Sequence, residues 1–255
     1  MADLADMVRR HDPDRFFCTL FAPAARRQAL CVLYAFNYEL ARAHEAAREP
    51  ALALIRLQWW REVVEGAERR HEVATPLAAL IRQGVLPRAP LLSMIEARQA
   101  EIDMPATLDF FLCLMRDGPG ALAVVAGVLL GADTAIQARL RDLGAACGVA
   151  GALRNVPALA RRERCLLPRD LLEAAGLVPE AAFSDPQAVL AAARPALVSS
   201  AANLLGRPQK LPRAVVAAAL PAIFARRDLV RGAPIGPRGA GDRGAVLWAA
   251  ARRMV

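Results

Sequence analysis

Aromatic, histidine and lysine residues are scarce in this chain of 255 residues. Aromatic residues make up 5% of the sequence, Lys210 is the only lysine, and His11, His44 and His71 are too scattered to set up a ligand pair. There is little alternation of β-branched and polar residues, so a sheet is not expected. No P-loop, GxGxxG motif or Ser-His-Asp arrangement can be argued from the sequence. The common nucleotide-binding and hydrolase classes are therefore not indicated.

Cysteine pairs and long uncharged runs are also missing. The five cysteines stand far apart with no CxxC spacing, which is typical of small buried side chains in a reducing compartment. Four aspartates within the first 14 residues predict that there is no signal peptide. The longest uncharged run, from Gly118 to Ala132, is shorter than the roughly 20 residues that span a bilayer. We expect a soluble cytoplasmic protein, and a peripheral contact at the inner face of the membrane stays open.

The charge is strongly positive but is spread along the chain. The formal net charge is +8 and the isoelectric point is about 10.2. Arginines supply nearly all of the positive charge and are interleaved with Asp and Glu. No basic arm, zinc finger or helix-turn-helix pattern accompanies them. We therefore expect no nucleic-acid partner, and a basic face toward phosphate or an anionic lipid instead.

The residues that are abundant predict helices. Hydrophobic residues make up 56% of the sequence and Ala is the commonest residue, which favours helices that pack closely. The stretch ALAVVAGVLLGA is apolar on every side, as in a central helix. We predict one all-α domain over residues 1–255, with kinks or breaks at Pro195 and Pro221. The turn-rich residues 232–244 are expected to form a mobile loop before a short helix, Ala245 to Met254.

Two stretches combine an apolar helix with charged residues. Residues 143–168, LGAACGVAGALRNVPALARRERCLLP, run from a small-residue helix into an arginine-rich tail, and residues 26–45, RRQALCVLYAFNYELARAHE, form a long helix. Both resemble, without a gap, the two signatures of the squalene/phytoene synthase family. The residues shared with the family's patterns are Arg26, Arg27, Leu30, Leu33, Tyr34, Ala35, Phe36, Leu143, Gly144, Ala146, Leu153, Arg154, Arg162, Arg164, Leu167 and Pro168. The resemblance implies an isoprenoid-synthase-like helical bundle around a central cavity.

The resemblance fails at the acids that hold metal in the family. There, Asp-rich helices bind Mg²⁺, which holds and ionises an allylic diphosphate. The corresponding degenerate positions in this chain are Ala41, Glu45, Asn155, Ala158 and Leu159. Because one or two carboxylates cannot hold the cluster of Mg²⁺ ions that a diphosphate needs, we expect no catalytic residue, no metal and no cofactor. The uncharged Ala158 and Leu159 are interpreted as a helix face that became core.

Two further groups of residues are candidates for the function that remains. Arginines of the second motif, most of which match residues that the family retains beside its diphosphate, are predicted to bind phosphate or another anion. They are Arg154, Arg161, Arg162 and Arg164. The residues expected to line the central cavity are Tyr34, Asn37, Tyr38, Trp59, Trp60, Gly148 and Gly151. In the family, Gln and Asn stand at the last two of these positions, and a pair of Trp residues is also typical of plain core packing.

Three functions stay open on the sequence. The first is a non-catalytic member, similar to the branch of the superfamily that helps to assemble respiratory complex I and has eroded Asp motifs. The second is an active prenyltransferase of the squalene or phytoene synthase type that uses Glu45, Asp142 and the arginines, with Mg²⁺. The third is a protein that binds an isoprenoid or a phospholipid in the cavity without chemistry. The missing acids favour the first function, and a filled cavity would argue against the other two.

Overall fold

The computed structural model describes residues 4–45, 50–178, 180–232 and 238–255, which form helices and no strand. In chain order the helices are α1 Leu4–His11, α2 Pro13–Thr19, α3 Ala24–Glu45, α4 Pro50–Glu65, α5 Ala74–Arg82, α6 Arg88–Ala100, α7 Leu108–Met115, α8 Ala121–Leu129, α9 Thr134–Ala160, α10 Arg169–Ala174, α11 Ala181–Ser184, α12 Pro186–Leu205, α13 Val216–Ala219, α14 Pro221–Arg231 and α15 Ala240–Arg252. A π-helical turn, Arg116–Gly120, joins α7 to α8 and is called the π-turn below. The prediction of an all-α fold is confirmed.

The helix at the centre of the bundle is α9, which packs against α7, α8, the π-turn, α12 and α14. Asp133 caps its N-terminus, where its side chain accepts a hydrogen bond from the amide of Ile136 at 2.8 Å. The buried residues of α9 are Ala, Gly, Val and Leu, and these small or aliphatic side chains let the neighbouring helices approach closely. The helix ends at Ala160, and the chain then turns through Glu163, whose φ is +52°.

Two glycines allow α9 to cross the π-turn at close range. A Cβ atom on Gly144 would lie 2.5 Å from the carbonyl oxygen of Pro119 and 2.8 Å from the Cα of Gly120. A Cβ atom on Gly148 would lie 2.7 Å from the Sδ of Met115 and 2.7 Å from the Cγ of Pro119. The π-turn therefore fills the space that a side chain at either position would need.

The two prolines predicted to disturb helices behave differently. Pro221 starts α14 and separates it from α13, as predicted. Pro195 lies inside α12, which continues from Pro186 to Leu205, so the helix is not broken there and a kink stays a prediction. A proline inside a helix removes one backbone hydrogen bond. Packing of α12 along α9 holds the helix together across that gap.

The last helix is longer than the sequence predicts. It begins at Ala240, so the end of the expected loop 232–244 is helical. Asp242 stabilises this first turn because its carboxylate lies at the positive end of the helix dipole and pairs with Arg227 of α14. Residues 233–237 of the expected loop lie outside the described residues.

In the described part of the chain, three helical segments are long and apolar enough to cross a membrane, judged by length and composition alone. They are Leu108–Leu129, Thr134–Ala160 and Pro186–Leu205. The expectation that no segment is long enough was wrong, because it counted only uncharged runs and each of these segments tolerates a few charges. The rest of the chain buries 61% of the apolar window in the first segment, 56% in the second and 33% in the third. In the first two segments, most of this apolar surface is therefore the core of the bundle.

Candidate functional site

The described residues leave little space at the centre of the bundle, between α3 and α9. Tyr34 of α3 and Cys147 of α9 border the same cavity, which has a volume of about 10 Å³. Its other walls come from α2, the π-turn, α8, α13 and α14. A buried water molecule alone needs about 10–15 Å³. The predicted bundle is confirmed, and the space that the described residues enclose at its centre is too small for a ligand.

Arg15 of α2 occupies this central space. Its guanidinium carbon lies 6.0 Å from the centre of the Tyr34 ring, and its Nη1 donates to Oδ2 of Asp12 at 2.6 Å. Burial opposes the charge, but the nearby Asp12 carboxylate raises the pKa of Arg15 further above its ordinary value. Burial also raises the pKa of the Tyr34 hydroxyl well above its usual range and that of the Cys147 thiol to about 11. At neutral pH the centre therefore holds a permanent cation beside two neutral groups.

A second small cavity shares Arg15 and Cys147 with the first and has a volume of about 60 Å³. Arg238, from the segment before α15, borders it with only 8% of its side chain exposed. Its Nη2 donates to Oδ2 of Asp14 at 2.8 Å and to Oδ2 of Asp228 at 2.8 Å. We call the charged residues around the two cavities the central ion network. It consists of Asp12, Asp14, Arg15, Arg154, Asp228 and Arg238.

The face of α3 that carries the first motif is covered by α1. His11 of α1 stacks on Tyr38, with ring centres 4.1 Å apart and ring planes 12° apart. Asn37 and Ala41 are half-buried, and the side chain of Glu45 lies outside the described residues. Neither Asn37 nor Tyr38 borders the two central cavities of the described residues, so their part in lining a cavity stays a prediction. His11 of α1 thus covers the Tyr38 ring on this face.

The two tryptophans line a different pocket, with a volume of about 280 Å³. Glu39 of α3 and His71 also line it. Glu39 stands two residues before Ala41, which places it about 200° away around the helix, so this pocket faces away from the motif face. Trp59 and Trp60 thus line this pocket and do not border the two central cavities of the described residues. Both rings pack edge to face against His71 instead, with ring centres 5.6 and 5.4 Å away.

The two glycines expected to line the cavity also lie elsewhere. Gly148 is packed against the π-turn, and Gly151 borders open space, where an added Cβ atom would meet nothing within 4 Å. Neither glycine borders the two central cavities. Tyr34 is thus the one expected lining residue that the structure places at the centre.

The acid-replacing positions of the second motif do not join the core. Asn155 and Ala158 are exposed and Leu159 is half-buried, whereas Val156 and Ala160 carry the buried side of this part of α9. The interpretation that the Ala158 face became core is therefore wrong, since the end of α9 turns that face toward solvent. At these positions the chain therefore carries uncharged side chains, two of which are exposed.

The four candidate arginines have different surroundings. Arg154 points to Asp228 of α14, with Nη1 and Oδ2 3.4 Å apart. Arg164 donates to the backbone carbonyl oxygen of Glu101, beyond the end of α6, at 2.8 Å. Arg161 and Arg162 are exposed in the turn that ends α9. That these arginines bind an anion stays a prediction. Arg161 and Arg162 are the two that an anion in solution could reach most easily.

The described residues do not fit a magnesium site. No group of three or more His, Cys, Asp or Glu side chains in the described ranges is placed to hold a metal ion. The carboxylates of Asp14 and Asp228 meet near the centre, but the guanidinium of Arg238 already takes the oxygens that Mg²⁺ would need. Asp142 lies on the surface and pairs with Arg116 at 3.4 Å.

A helical bundle with the two motif helices on either side of its centre has the fold of the isoprenoid synthases. A crystal structure of a dehydrosqualene synthase in complex with a ligand matches it with a TM-score of 0.75, over 97% of this chain and 94% of that chain, at 14% sequence identity. Squalene synthase HpnC from Alicyclobacillus acidocaldarius matches with a TM-score of 0.68, over 89% and 90% of the two chains, at 19% identity. At these identities the likeness shows the fold alone.

The chain belongs to the squalene/phytoene synthase family, whose sequence model matches residues 8–233. It is also similar to NADH dehydrogenase (ubiquinone) complex I, assembly factor 6, from Bos taurus, with 26% identity over 182 residues, 69% of this chain and 55% of that protein. The Homo sapiens protein of the same name is 25% identical over 182 residues, again 69% of this chain and 55% of that protein. The Drosophila melanogaster homolog is 26% identical over 195 residues, 68% of this chain and 56% of that protein. The chain thus spans about half the length of the curated relatives that it matches.

Proposed function

We propose that this chain is a non-catalytic member of the family that acts in the assembly of respiratory complex I. The observation that carries the proposal is the filled centre, with cavities of about 10 and 60 Å³. Pockets that bind small molecules commonly measure about 300–1,000 Å³. Neither a prenyl diphosphate nor an isoprenoid lipid fits in these two cavities of the described residues between α3 and α9. The similarity to complex I assembly factor 6 supports the choice of process.

The central ion network strengthens the case against catalysis at this position. A substrate diphosphate would have to displace Arg238 from two aspartates, Asp14 and Asp228, and the freed carboxylates would then repel the substrate. The alternative function, an active prenyltransferase, relies on Glu45, Asp142 and arginines to hold Mg²⁺. Asp142 pairs with Arg116 on the surface and borders neither central cavity, so it is not placed to hold Mg²⁺ there.

The partner that follows from this proposal is a protein of complex I during its assembly. A chain of this kind would work at the membrane in which complex I is built, through a peripheral contact at its inner face. No metal or cofactor is part of the proposed role. Binding of an isoprenoid or anionic lipid between α3 and α9 would require the central ion network to open.

Deletion of the gene in its own organism tests the proposal. We expect less fully assembled complex I on a native gel and a lower rate of NADH oxidation, both restored by the intact chain. The matched variant is Glu45→Gln, which removes the carboxylate that remains at the first motif. A non-catalytic protein should restore complex I equally well with this variant. Unchanged complex I after deletion, or failure of the Glu45→Gln variant to restore it, would contradict the proposal.

A further inference from the structure

A pocket of about 400 Å³ lies outside the two motifs, where α4 ends, α5 packs and α6 begins. Its charged rim consists of one glutamate and four arginines. These residues are Glu68, Arg69, Arg70, Arg82 and Arg88. Neither the proposed assembly role nor the central ion network uses this pocket, which we call the arginine pocket.

Positive charge in the arginine pocket exceeds the negative charge that pairs with it. Arg69 pairs with Glu62 at 2.8 Å and Arg82 pairs with Glu68 at 3.3 Å. Arg70 and Arg88 have no carboxylate within ion-pair distance among the residues that the structure describes. Two guanidinium groups from different segments are thus left to face the same space. An anion bound in the pocket would offset the charge of both groups.

The chain around the pocket is held in place before any ligand binds. Thr75 Oγ1 donates to the carbonyl oxygen of Arg69 at 3.2 Å and accepts from the amide of His71 at 3.3 Å. Gly66 has a φ of +122°, and the Nη2 of Arg88 lies 3.8 Å from the point where a Cβ atom on Gly66 would stand. Hydrogen bonds to Thr75 therefore hold the loop that carries Arg69 and Arg70 against the start of α5. Arg88 lies close to the backbone at Gly66, where no side chain intervenes.

The floor of the arginine pocket is apolar. Val63 of α4 and Ile81 of α5 are buried, with 1% and 7% exposed, and both line the pocket together with Ala78. A ligand that fits must combine an anionic group for the arginines with carbon atoms for this floor. Guanidinium groups bind phosphate oxygens through two parallel hydrogen bonds, which a phosphate ester offers.

We propose that the arginine pocket binds a phosphate ester through Arg70 and Arg88. The phosphate can belong to the head group of an acidic phospholipid or to a small free phosphate ester, and both sources share the chemistry that the pocket recognises. The pocket volume of about 400 Å³ lies in the range of small-molecule sites and suits a head group with its glycerol. An acidic peptide is the competing ligand that the experiment must distinguish.

The test compares the variant Arg70→Gln/Arg88→Gln with the control Arg207→Gln/Arg213→Gln, which removes two exposed arginines elsewhere. Binding is measured to phosphatidylcholine vesicles with and without about 30% phosphatidylglycerol, and to glycerol 3-phosphate in solution. We expect the pocket variant to bind at least about tenfold more weakly than the control. Vesicle binding would identify the lipid source, and binding of glycerol 3-phosphate alone would identify the free ester.

A conservative variant keeps the test valid if the glutamine variant is unstable. Arg70→Lys/Arg88→Lys retains both charges, but it should still weaken binding because lysine cannot form the paired hydrogen bonds. Equal losses in pocket and control variants would overturn the proposal, since they would indicate a general charge effect. Absence of binding to every phosphate probe would overturn it too. So would binding of an Asp-rich peptide that depends on Arg70 and Arg88 while no phosphate probe binds.

Discussion

The substitution Gly144→Ala tests the close crossing between α9 and the π-turn. The new methyl group would lie 2.5 Å from the carbonyl oxygen of Pro119 and 2.8 Å from both the Cβ of Ala123 and the Cα of Gly120. Two of these atoms belong to backbone, so relief requires α9 and the π-turn to move apart. Overpacking of this kind costs about 1–3 kcal/mol, and the better helix propensity of Ala returns at most about 1 kcal/mol. Because two of the contacts are with backbone, we take the upper part of this range, about 2–3 kcal/mol, and expect a net loss of about 1–2 kcal/mol in the free energy of unfolding.

The matched control is Gly151→Ala, in the same helix. An added Cβ atom at Gly151 would meet nothing within 4 Å, so only the propensity term applies. The control should raise the free energy of unfolding by about 0.5–1 kcal/mol. Urea denaturation followed by circular dichroism measures both variants. In a chain of this length, 1 kcal/mol corresponds to a shift of roughly 2–4 °C in Tm, so thermal melts should separate the two variants by several degrees.

The outcome that would refute this reasoning is a Gly144→Ala variant as stable as the Gly151→Ala control. Such a result would mean that α9 and the π-turn do not meet at the distance described. Gly148 packs against the same turn. The close packing of α9 at the centre of the bundle would then be contradicted as well.

Three further predictions concern charged and titrating side chains. Replacing Arg238 by Met should lower the free energy of unfolding by about 3–5 kcal/mol, because Asp14 and Asp228 lose the cation that pairs with them. Urea denaturation measures this loss, and a value below about 1 kcal/mol would show that the central ion network is not formed. Replacing both Arg161 and Arg162 by Glu should weaken binding to anionic liposomes or to the partner while Tm stays nearly unchanged. Undiminished binding would show that these arginines do not form an anion site. Burial raises the pKa of the Cys147 thiol to about 11, so at pH 8 its alkylation should be slower than that of the exposed Cys113. The rate at Cys147 should rise with pH up to about pH 11. Equal rates at pH 8 would contradict the buried position of Cys147.

The sequence predicted the fold well because the fold depends on local signals. Helical spacing and two gapless motifs were enough to place α3 and α9 and the bundle around them. Caps such as Asp133 are also local, since the side chain bonds an amide three residues away. These features do not depend on which distant segments meet.

The candidate site was predicted less well because it depends on distant pairing. Arg238 stands in a Gly- and Pro-rich stretch, and nothing near it in sequence indicates that it binds Asp14, which lies at the opposite end of the chain. The tryptophans were assigned to the wrong pocket because helical spacing does not say which neighbour covers each face. The sequence did contain one useful signal for α2, the run Asp12-Pro13-Asp14-Arg15, which is typical of a capped helix start.

The measurement that most directly tests the central claim is product formation from prenyl diphosphates. Purified protein would be incubated with Mg²⁺ and either farnesyl or geranylgeranyl diphosphate, and the hydrocarbon extract and the released diphosphate would be analysed. A chain with a filled centre and no carboxylates at Ala41, Asn155 and Ala158 should give neither squalene nor phytoene and no diphosphate above a heat-killed control. Detection of either hydrocarbon above that control would contradict the account.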